Sequence, residues 1–209
     1  MTPEDFIRAN AALSAPPLVP EIRLHLATEV VPLWRATEDE LAQRGVPPPY
    51  WAFAWAGGQA LARYVLDHPE TVSGRHVLDL GSGSGLVAIA AMKAGAAGVL
   101  AADIDAFAAA AIRLNAAANA CGLAVTADDM IGTECRWDTI LVGDLFYERP
   151  LAERLLAWLR PLKAVALLGD PGRSYFPKTG VEKLAAYSVP VTRDLEDREI
   201  RETGVWRLT

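Results

Sequence analysis

A glycine-rich turn is the segment of this sequence best suited to binding a ligand. It lies in VLDLGSGSGL at residues 77–86, directly after an apolar segment, and contains Gly81, Ser82, Gly83 and Gly85. Glycines let the backbone approach a ligand closely, and the N–H groups at the start of a following helix favour a negative group. We therefore predict that these four residues bind a cofactor. By itself such a turn could serve a dinucleotide or merely close a tight connection.

Two carboxylates narrow the choice of ligand. Asp79 lies two residues before the first glycine, near the end of the predicted strand. A carboxylate there would repel a pyrophosphate, whereas a zwitterionic ligand with a sulfonium could use it. Asp103 follows about 20 residues later at the end of the next strand, where a carboxylate can accept hydrogen bonds from ribose hydroxyls. Both residues are predicted to bind the cofactor.

The segment GDLFY, residues 143–147, supplies candidate groups for a second reactant. It follows the predicted fourth strand, and the carboxyl ends of central strands are where ligands meet catalytic groups in open α/β sheets. The carboxylate of Asp144 could orient an amine, and the face of Tyr147 favours a cation. We predict both as catalytic residues, with Asp144 also on the cofactor side. Tyr147 could instead pack under the next helix.

These residues need a sheet to position them, and the pattern from Arg75 onward provides one. Strand-like and helix-like segments alternate there. Such alternation indicates a parallel sheet with helices on both faces. Strands are predicted over 76–80, 98–102, 124–127, 137–142 and 164–168, and helices over 85–94, 106–120 and 151–159.

The C-terminal segment breaks this alternation. Val181–Ala185 is predicted as a short helix, and strands are predicted over Ala186–Val191 and Val205–Leu208. No helix separates these last two strands, and the charged segment Arg193–Glu202 fits a hairpin connection. The predicted fold is therefore a Rossmann-like, doubly wound α/β domain whose seven-stranded sheet is mostly parallel, with an antiparallel C-terminal edge hairpin.

The N-terminal third is predicted to cap this core. A helix is expected over about residues 2–13, and Glu21–Ala27 could form an edge strand. Three consecutive prolines at 47–49 then break regular structure. Residues 1–70 are too few for an independent domain, so we predict a helical and aromatic cap that shares one domain with a core over residues 71–209.

Composition excludes several classes of function. The 209 residues are 52% hydrophobic and carry a formal net charge of −6 without a long basic run, which disfavours a nucleic-acid surface. Cys121 and Cys135 form no CxxC pair and the three histidines are scattered, so no metal site is predicted. The N-terminus lacks a signal-peptide pattern, and no run reaches the ~20 apolar residues of a membrane span. A cytoplasmic protein without membrane partners is expected.

The glycine run at 77–86, followed by Asp103, resembles motif I and the post-motif acid of the class I, or seven-strand, S-adenosylmethionine-dependent methyltransferases. In that family the glycine loop passes under the methionine moiety and the acid holds the ribose. An acid after the third strand meets the adenine amine; Asp129, followed by Met130, matches that place, with Asp128 as its rival. The resemblance implies S-adenosylmethionine as cofactor and S-adenosylhomocysteine as product.

Three further segments resemble particular members of this class. DLFY at 144–147 is similar to the Asp-x-x-Tyr/Phe motif of protein-lysine methyltransferases, and it lacks the Pro-Pro pair of enzymes that methylate bases or amide nitrogens. Residues 48–61 and the loop GDPGR at 169–173 look like those of the electron transfer flavoprotein β-subunit lysine methyltransferases. By that similarity Trp55 and Gln59 line the cofactor pocket, whereas Arg173 receives no role.

The resemblance implies a protein-lysine N-methyltransferase acting on the electron transfer flavoprotein β-subunit, with no nucleic-acid partner. A small-molecule N-methyltransferase of the nicotinamide type and a ribosomal-protein L11 methyltransferase stay open, since both share the core. Two other classes are disfavoured by particular residues. Intact Gly81–Gly85, Asp103 and Asp144 argue against an inactive cofactor-binding module, and Asp79 argues against a nicotinamide-dinucleotide oxidoreductase.

Overall fold

The N-terminal segment folds as one helix and a small ribbon. In the computed structural model, which describes residues 2–27, 48–191 and 200–209, helix α1 spans Pro3–Asn10, and strands β1 (Ala12–Ser14) and β2 (Leu24–Leu26) pair antiparallel. Thr2 and Asp5 form a capping box at the start of α1. The helix ends earlier than predicted because the chain becomes extended at Ala11 to enter β1. The expected edge strand is β2, in this separate ribbon.

The rest of the described chain alternates strands and helices, as predicted. Two short 3₁₀ turns, Tyr50–Ala52 and Pro69–Thr71, flank the first helix of this part. The elements are α2 (Ala56–Asp67), β3 (His76–Leu80), α3 (Leu86–Lys93), β4 (Gly98–Ala102), α4 (Ala106–Ala118), β5 (Ala124–Thr126), β6 (Thr139–Gly143), α5 (Arg149–Leu159), β7 (Val165–Asp170), β8 (Val181–Pro190) and β9 (Ile200–Leu208).

Seven of the strands form one mixed sheet in the order β5-β4-β3-β6-β7-β9-β8. Neighbours from β5 to β7 are parallel, and β9 runs antiparallel to both β7 and β8. The predicted fold class is thus confirmed. The chain passes from β3 outward to β4 and β5, then returns to place β6 on the other side of β3. Such a reversal opens a crevice at the carboxyl ends of β3 and β6, where ligands bind in doubly wound sheets.

The structure contradicts the short helix predicted over Val181–Ala185. These residues form the first half of β8, which pairs with β9 from Val181 opposite Leu208 to Pro190 opposite Ile200. The run VEKLAA has good local helix propensity, but long-range pairing outweighs such small preferences. A register shift between Lys183 and Ala185 marks an irregularity in the ladder. Most of the predicted hairpin connection, residues 193–199, lies outside the described residues.

A close backbone contact fixes the start of α2 against the carboxyl ends of the central strands. A Cβ added at Gly57 would lie 2.2 Å from the carbonyl oxygen of Gly169 at the end of β7, and one added at Gly143, the last residue of β6, would lie 3.1 Å from Gly58 Cα. Only glycine permits this approach. Helix α2 therefore begins directly at the crevice, although it falls within the predicted cap. Within the described residues no helix is long and apolar enough to cross a membrane.

Candidate active site

The glycine loop after β3 is organised around the buried carboxylate of Asp79. One oxygen of Asp79 accepts hydrogen bonds from Ser82 Oγ at 2.5 Å and from the backbone N–H of Ala88, in the first turn of α3, at 3.0 Å. Burial raises the pKa of Asp79 to about 7, and these two bonds offset part of that effect. Asp79 is 1% exposed. Its position supports the loop from inside, and a direct contact with cofactor stays a prediction.

The three glycines of the loop all have left-handed backbone conformations, with φ of +64° at Gly81, +53° at Gly83 and +83° at Gly85. A Cβ at Gly81 would lie 2.7 Å from two carbons of the Leu145 side chain. Among the described residues, a Cβ at Gly83 would meet only Trp51 Cα, at 4.0 Å. None of the described residues therefore fills the space beside Gly83, and the binding of cofactor by these glycines stays a prediction.

Asp103, at the end of β4, is joined to this loop. One carboxylate oxygen accepts the N–H of Gly83 at 2.8 Å, and the other accepts the N–H of Asp105 at 3.0 Å. Burial raises the pKa of the Asp103 carboxyl, and the two backbone bonds counteract it. The structure therefore brings Asp103 and the glycine loop together. The adjacent Ile104 is 76% exposed, an apolar surface that the sequence reasoning missed. The sequence feature that could have indicated this surface is an apolar residue directly after an acid that ends a strand.

Asp144 lies at the end of β6 in a conformation that side chains rarely adopt, with φ of +58°. Oδ2 accepts the N–H of Gly58 at 2.9 Å, and Oδ1 accepts Nε and Nη2 of Arg173 at 3.0 and 2.6 Å. The residue is only 8% exposed. A buried carboxylate in such a backbone position points to a functional site, because its strain must be compensated by these contacts.

The GDPGR loop after β7 supplies Arg173, the main functional candidate that the sequence reasoning did not assign. Oδ1 of Asp170 accepts the N–H groups of Gly172 and Arg173, both at 2.7 Å, and so fixes the loop. The guanidinium carbon of Arg173 lies 5.6 Å from the centroid of the Trp55 ring. Burial raises the pKa of Asp170 to about 6, and its Oδ2 has no hydrogen-bond partner among the described residues. The sequence feature that could have indicated Arg173 is a basic residue directly after the turn that follows a strand.

Tyr147 borders the same region rather than packing under helix α5. Phe146 is 1% exposed and takes the core position, whereas Tyr147 is 42% exposed. The ring centroids of Tyr50 and Tyr147 are 6.1 Å apart, as are those of Tyr50 and Trp55. Trp55 Nε1 donates to the carbonyl of Tyr50 at 2.9 Å. These aromatic side chains and Arg173 therefore form one rim beside Asp144. Within this rim the guanidinium of Arg173 already covers Trp55, and the exposed ring of Tyr147 suits a further cation.

Gln59, in the first turn of α2, is bonded to the protein backbone. Its Nε2 donates to the carbonyl of Ala54 at 2.7 Å, its Oε1 accepts the N–H of Leu18 at 3.2 Å, and the residue is 2% exposed. These contacts tie the segment before α2 to the N-terminal part of the chain. Gln59 thus shapes the wall behind Trp55, and contact with cofactor stays a prediction.

The residues after β5 lie at the surface. Asp129 forms an ion pair with Arg154 of α5 and accepts the N–H of Ile131 at 3.0 Å, while its rival Asp128 accepts the hydroxyl of Thr126 at 2.7 Å. Met130 packs against the apolar cluster between the sheet and α5. The adenine role of Asp129 and Met130 stays a prediction. Within the described residues no cluster of side chains suits a metal ion.

Comparison with known proteins decides which family this geometry represents. The chain is 42% identical to the electron transfer flavoprotein β-subunit lysine methyltransferase of Xenopus laevis, over 98% of this chain and 86% of that protein. The identity to the Homo sapiens protein of the same name is 37%, over 96% and 80%. The chain belongs to this family of methyltransferases. A model of the ribosomal protein L11 methyltransferase family (PrmA) also matches residues 59–142.

Solved structures show the same fold at lower identity. The ribosomal protein L11 methylase of Lactobacillus delbrueckii subsp. bulgaricus aligns with a TM-score of 0.52 at 22% identity, over 74% of this chain and 79% of that one. The magnesium protoporphyrin IX methyltransferase of Synechocystis PCC 6803 aligns with a TM-score of 0.54 at 15% identity, over 73% and 78%. These likenesses establish the methyltransferase fold, and the lysine methyltransferase family follows from the closer sequence relatives.

Proposed function

We propose that this enzyme transfers a methyl group from S-adenosylmethionine to a lysine side chain of the electron transfer flavoprotein β-subunit. The observation that carries the proposal is the near full-length similarity to relatives that bear this name, at up to 42% identity. The site supports it independently, because an aromatic rim and a buried carboxylate meet at the carboxyl ends of β3 and β6.

The residues around the glycine loop fit the proposed cofactor. When bound, S-adenosylmethionine supplies an electrophilic methyl group on a sulfonium. No described residue fills the space beside Gly83, which suits a ligand there, and the carboxylate of Asp103, bonded to the same loop, suits ribose hydroxyls. The exposed side chain of Ile104 offers an apolar surface beside that carboxylate.

The acceptor side must bind an amine and bring its lone pair into line. Positioning contributes most to such a transfer, which needs the nitrogen about 3 Å behind the methyl carbon. A lysine with a pKa of about 10.4 is protonated at neutral pH, so it must lose a proton first. We assign the orientation of the amine to Asp144 and the recognition of its apolar stem and cationic form to Tyr147, with the proton passing to solvent.

A ribosomal protein is the second candidate substrate. The match of residues 59–142 to the L11 methyltransferase model favours it, and so does 34% identity to the L11 methyltransferase of Dechloromonas aromatica. That similarity covers 71% of this chain and 50% of the relative. It is confined to a smaller part of both proteins than the similarity to the flavoprotein methyltransferases, so we rank this substrate second.

The test is transfer of labelled methyl groups to three acceptors from the source organism. Two are purified proteins, the electron transfer flavoprotein and ribosomal protein L11, and the third is an extract of low-mass compounds. We expect label in the flavoprotein β-subunit, located on lysine by mass spectrometry. Asp144→Asn should lower turnover at least tenfold, whereas Glu153→Gln, an exposed carboxylate on α5, should leave it unchanged. Label only in L11 or only in small molecules would refute the proposed substrate, and full turnover of Asp144→Asn would refute its assigned role.

We also propose a cytoplasmic location and no nucleic-acid partner. Cys121 and Cys135 are both free thiols, which suits a reducing compartment. The net charge of −6 disfavours binding to phosphate backbones. Fractionation of cells that carry the tagged protein, followed by nuclease treatment of the fraction that contains it, tests both statements.

A further inference from the structure

Arg173 makes two contacts of the kind a substrate ammonium would make. Its guanidinium donates two hydrogen bonds to Oδ1 of Asp144, at 3.0 and 2.6 Å, and its carbon lies 5.6 Å from the centroid of the Trp55 ring. The side chains of Arg173 and Asp144 are only 19% and 10% exposed. The ion pair is therefore shielded from water, and salt screens it less than a surface pair.

This arrangement changes how the site acts on lysine. A free carboxylate beside the substrate nitrogen would stabilise the ammonium form, which has no lone pair to attack with. A carboxylate paired with a guanidinium carries little net charge toward its surroundings. It can still accept a hydrogen bond from a neutral amine, since a carboxylate offers about four lone-pair sites. Because guanidinium keeps its charge at all relevant pH values, the neutralisation does not fade as pH rises.

On the proposed function given above, we propose that Arg173 is a positioning residue that neutralises Asp144 so that the substrate lysine reacts as a neutral amine. The lysine ammonium gives one proton to solvent. Its nitrogen lone pair then forms the new N–CH₃ bond while the S–CH₃ bond breaks, and that electron pair stays on sulfur. The products are a methylated lysine cation and a neutral thioether, so charge is conserved.

The loop around Arg173 is built to hold the guanidinium in place. Asp170 accepts the N–H groups of Gly172 and Arg173, and these contacts fix the backbone from which the arginine extends. Asp144 is fixed on its other side by the N–H of Gly58 at the start of α2. The pair is therefore preorganised by three elements, β6, α2 and the loop after β7.

Other titratable groups also face this region and must be considered in any pH profile. Among the described residues they come from four elements. They are Asp170 at the end of β7, Tyr147 and Glu148 after β6, Tyr50 before α2, and Asp103 at the end of β4. Burial raises the pKa of Asp170 and of Tyr147, and the charge of Arg173 offsets part of that effect, so its loss raises both pKa values further. Arg173→Lys keeps a positive charge beside these groups and Arg173→Gln removes it. Measuring both profiles again in an Asp170→Asn background removes the titration of Asp170 and leaves the effect on the substrate amine.

The experiment measures kcat against pH, at saturating cofactor, with the flavoprotein β-subunit as acceptor. Arg173→Gln removes the charge at similar length, Arg173→Lys keeps it, and Arg136→Gln removes a distant exposed arginine as a control. A carboxylate within about 4–6 Å favours the ammonium by one pKa unit or more. We expect the acidic limb of the Arg173→Gln profile to move up by about one pH unit, which lowers kcat about tenfold on that limb.

We expect the Arg173→Lys and Arg136→Gln profiles to keep the wild-type midpoint. Binding of the β-subunit in the presence of S-adenosylhomocysteine, measured by calorimetry, should be equal or tighter for Arg173→Gln, because loss of the guanidinium makes the surroundings of the ammonium more negative. Two results would overturn this inference and leave the proposed function standing. One is an equal loss of kcat at every pH in Arg173→Gln, and the other is a midpoint shift in Arg173→Lys as large as that in Arg173→Gln. No methyl-lysine with the wild-type enzyme would overturn the proposed function and the inference with it.

Discussion

Replacing Asp79 by Asn tests whether this residue acts inside the glycine loop or on the cofactor. The carboxylate oxygen accepts two hydrogen bonds, from Ser82 Oγ and from the N–H of Ala88. An amide oxygen can accept the same two bonds, so the variant should fold with the loop intact. It differs from the wild type chiefly in that it cannot become charged in this buried position.

The size of the effect follows from the shifted pKa. The unfolded carboxyl has a pKa of 3.8 and the folded one a pKa of about 7, so between these values the folded state binds the proton more tightly. The contribution of Asp79 to stability is therefore full below pH 3.8 and is lost as pH rises toward 7. From pH 5 to the folded pKa of about 7 is a span of about two pH units, at about 1.4 kcal/mol per unit. The stability that Asp79 contributes therefore falls by about 3 kcal/mol between pH 5 and pH 8.

The assay is urea unfolding of wild type and Asp79→Asn at pH 5 and pH 8, followed by circular dichroism. Other ionisable groups titrate in both proteins, so their effects cancel when the unfolding free energy of the wild type is subtracted from that of the variant. From pH 5 to pH 8 this difference should change by about 3 kcal/mol in favour of the variant. Affinity for S-adenosylhomocysteine, measured at pH 8, tests the predicted contact of Asp79 with the cofactor, and a tenfold loss in the variant would support it. An unchanged stability difference would refute the burial argument, and a change in affinity of less than threefold would contradict the predicted contact with the cofactor.

Two further predictions concern the cofactor and the start of helix α2. Asp103→Ala removes the acceptor of the Gly83 and Asp105 N–H groups. Affinity for S-adenosylhomocysteine, measured by calorimetry, should therefore fall at least tenfold, while kcat at saturating cofactor stays within about threefold of the wild-type value. Unchanged affinity would contradict the ribose assignment. Gly57→Ala places a Cβ 2.2 Å from a backbone oxygen and should cost about 1–3 kcal/mol in thermal unfolding. Gly58→Ala, whose Cβ would meet no atom of the described residues within 4 Å, is the matched control, and equal losses in both variants would contradict this prediction.

The sequence by itself determined the parts of this protein that depend on local pattern. The alternation of strands and helices from Arg75 onward predicted the sheet, because apolar periodicity and helix caps are properties of short segments. The glycine loop and Asp103 were predicted as one site, because the carboxyl ends of neighbouring parallel strands meet at one edge. The structure places them in contact through the N–H of Gly83, and their binding of a cofactor stays a prediction.

Only the tertiary structure decided features that join distant segments. The first half of β8, predicted as helix, is a strand because it pairs with β9, and local propensity does not contain that pairing. Asp129 pairs with Arg154 and Gln59 with backbone groups, partners that no spacing in the sequence specifies.

The arrangement around Arg173 shows the physical reason most clearly. Trp55, Asp144 and Arg173 are far apart in sequence, and each residue taken singly allows many roles. Folding brings α2, β6 and the loop after β7 to one end of the sheet, and a close glycine contact fixes how near they approach. Whether a carboxylate acts as a free charge or as half of a pair depends on those distances, because Coulomb energy and desolvation change steeply over a few ångströms.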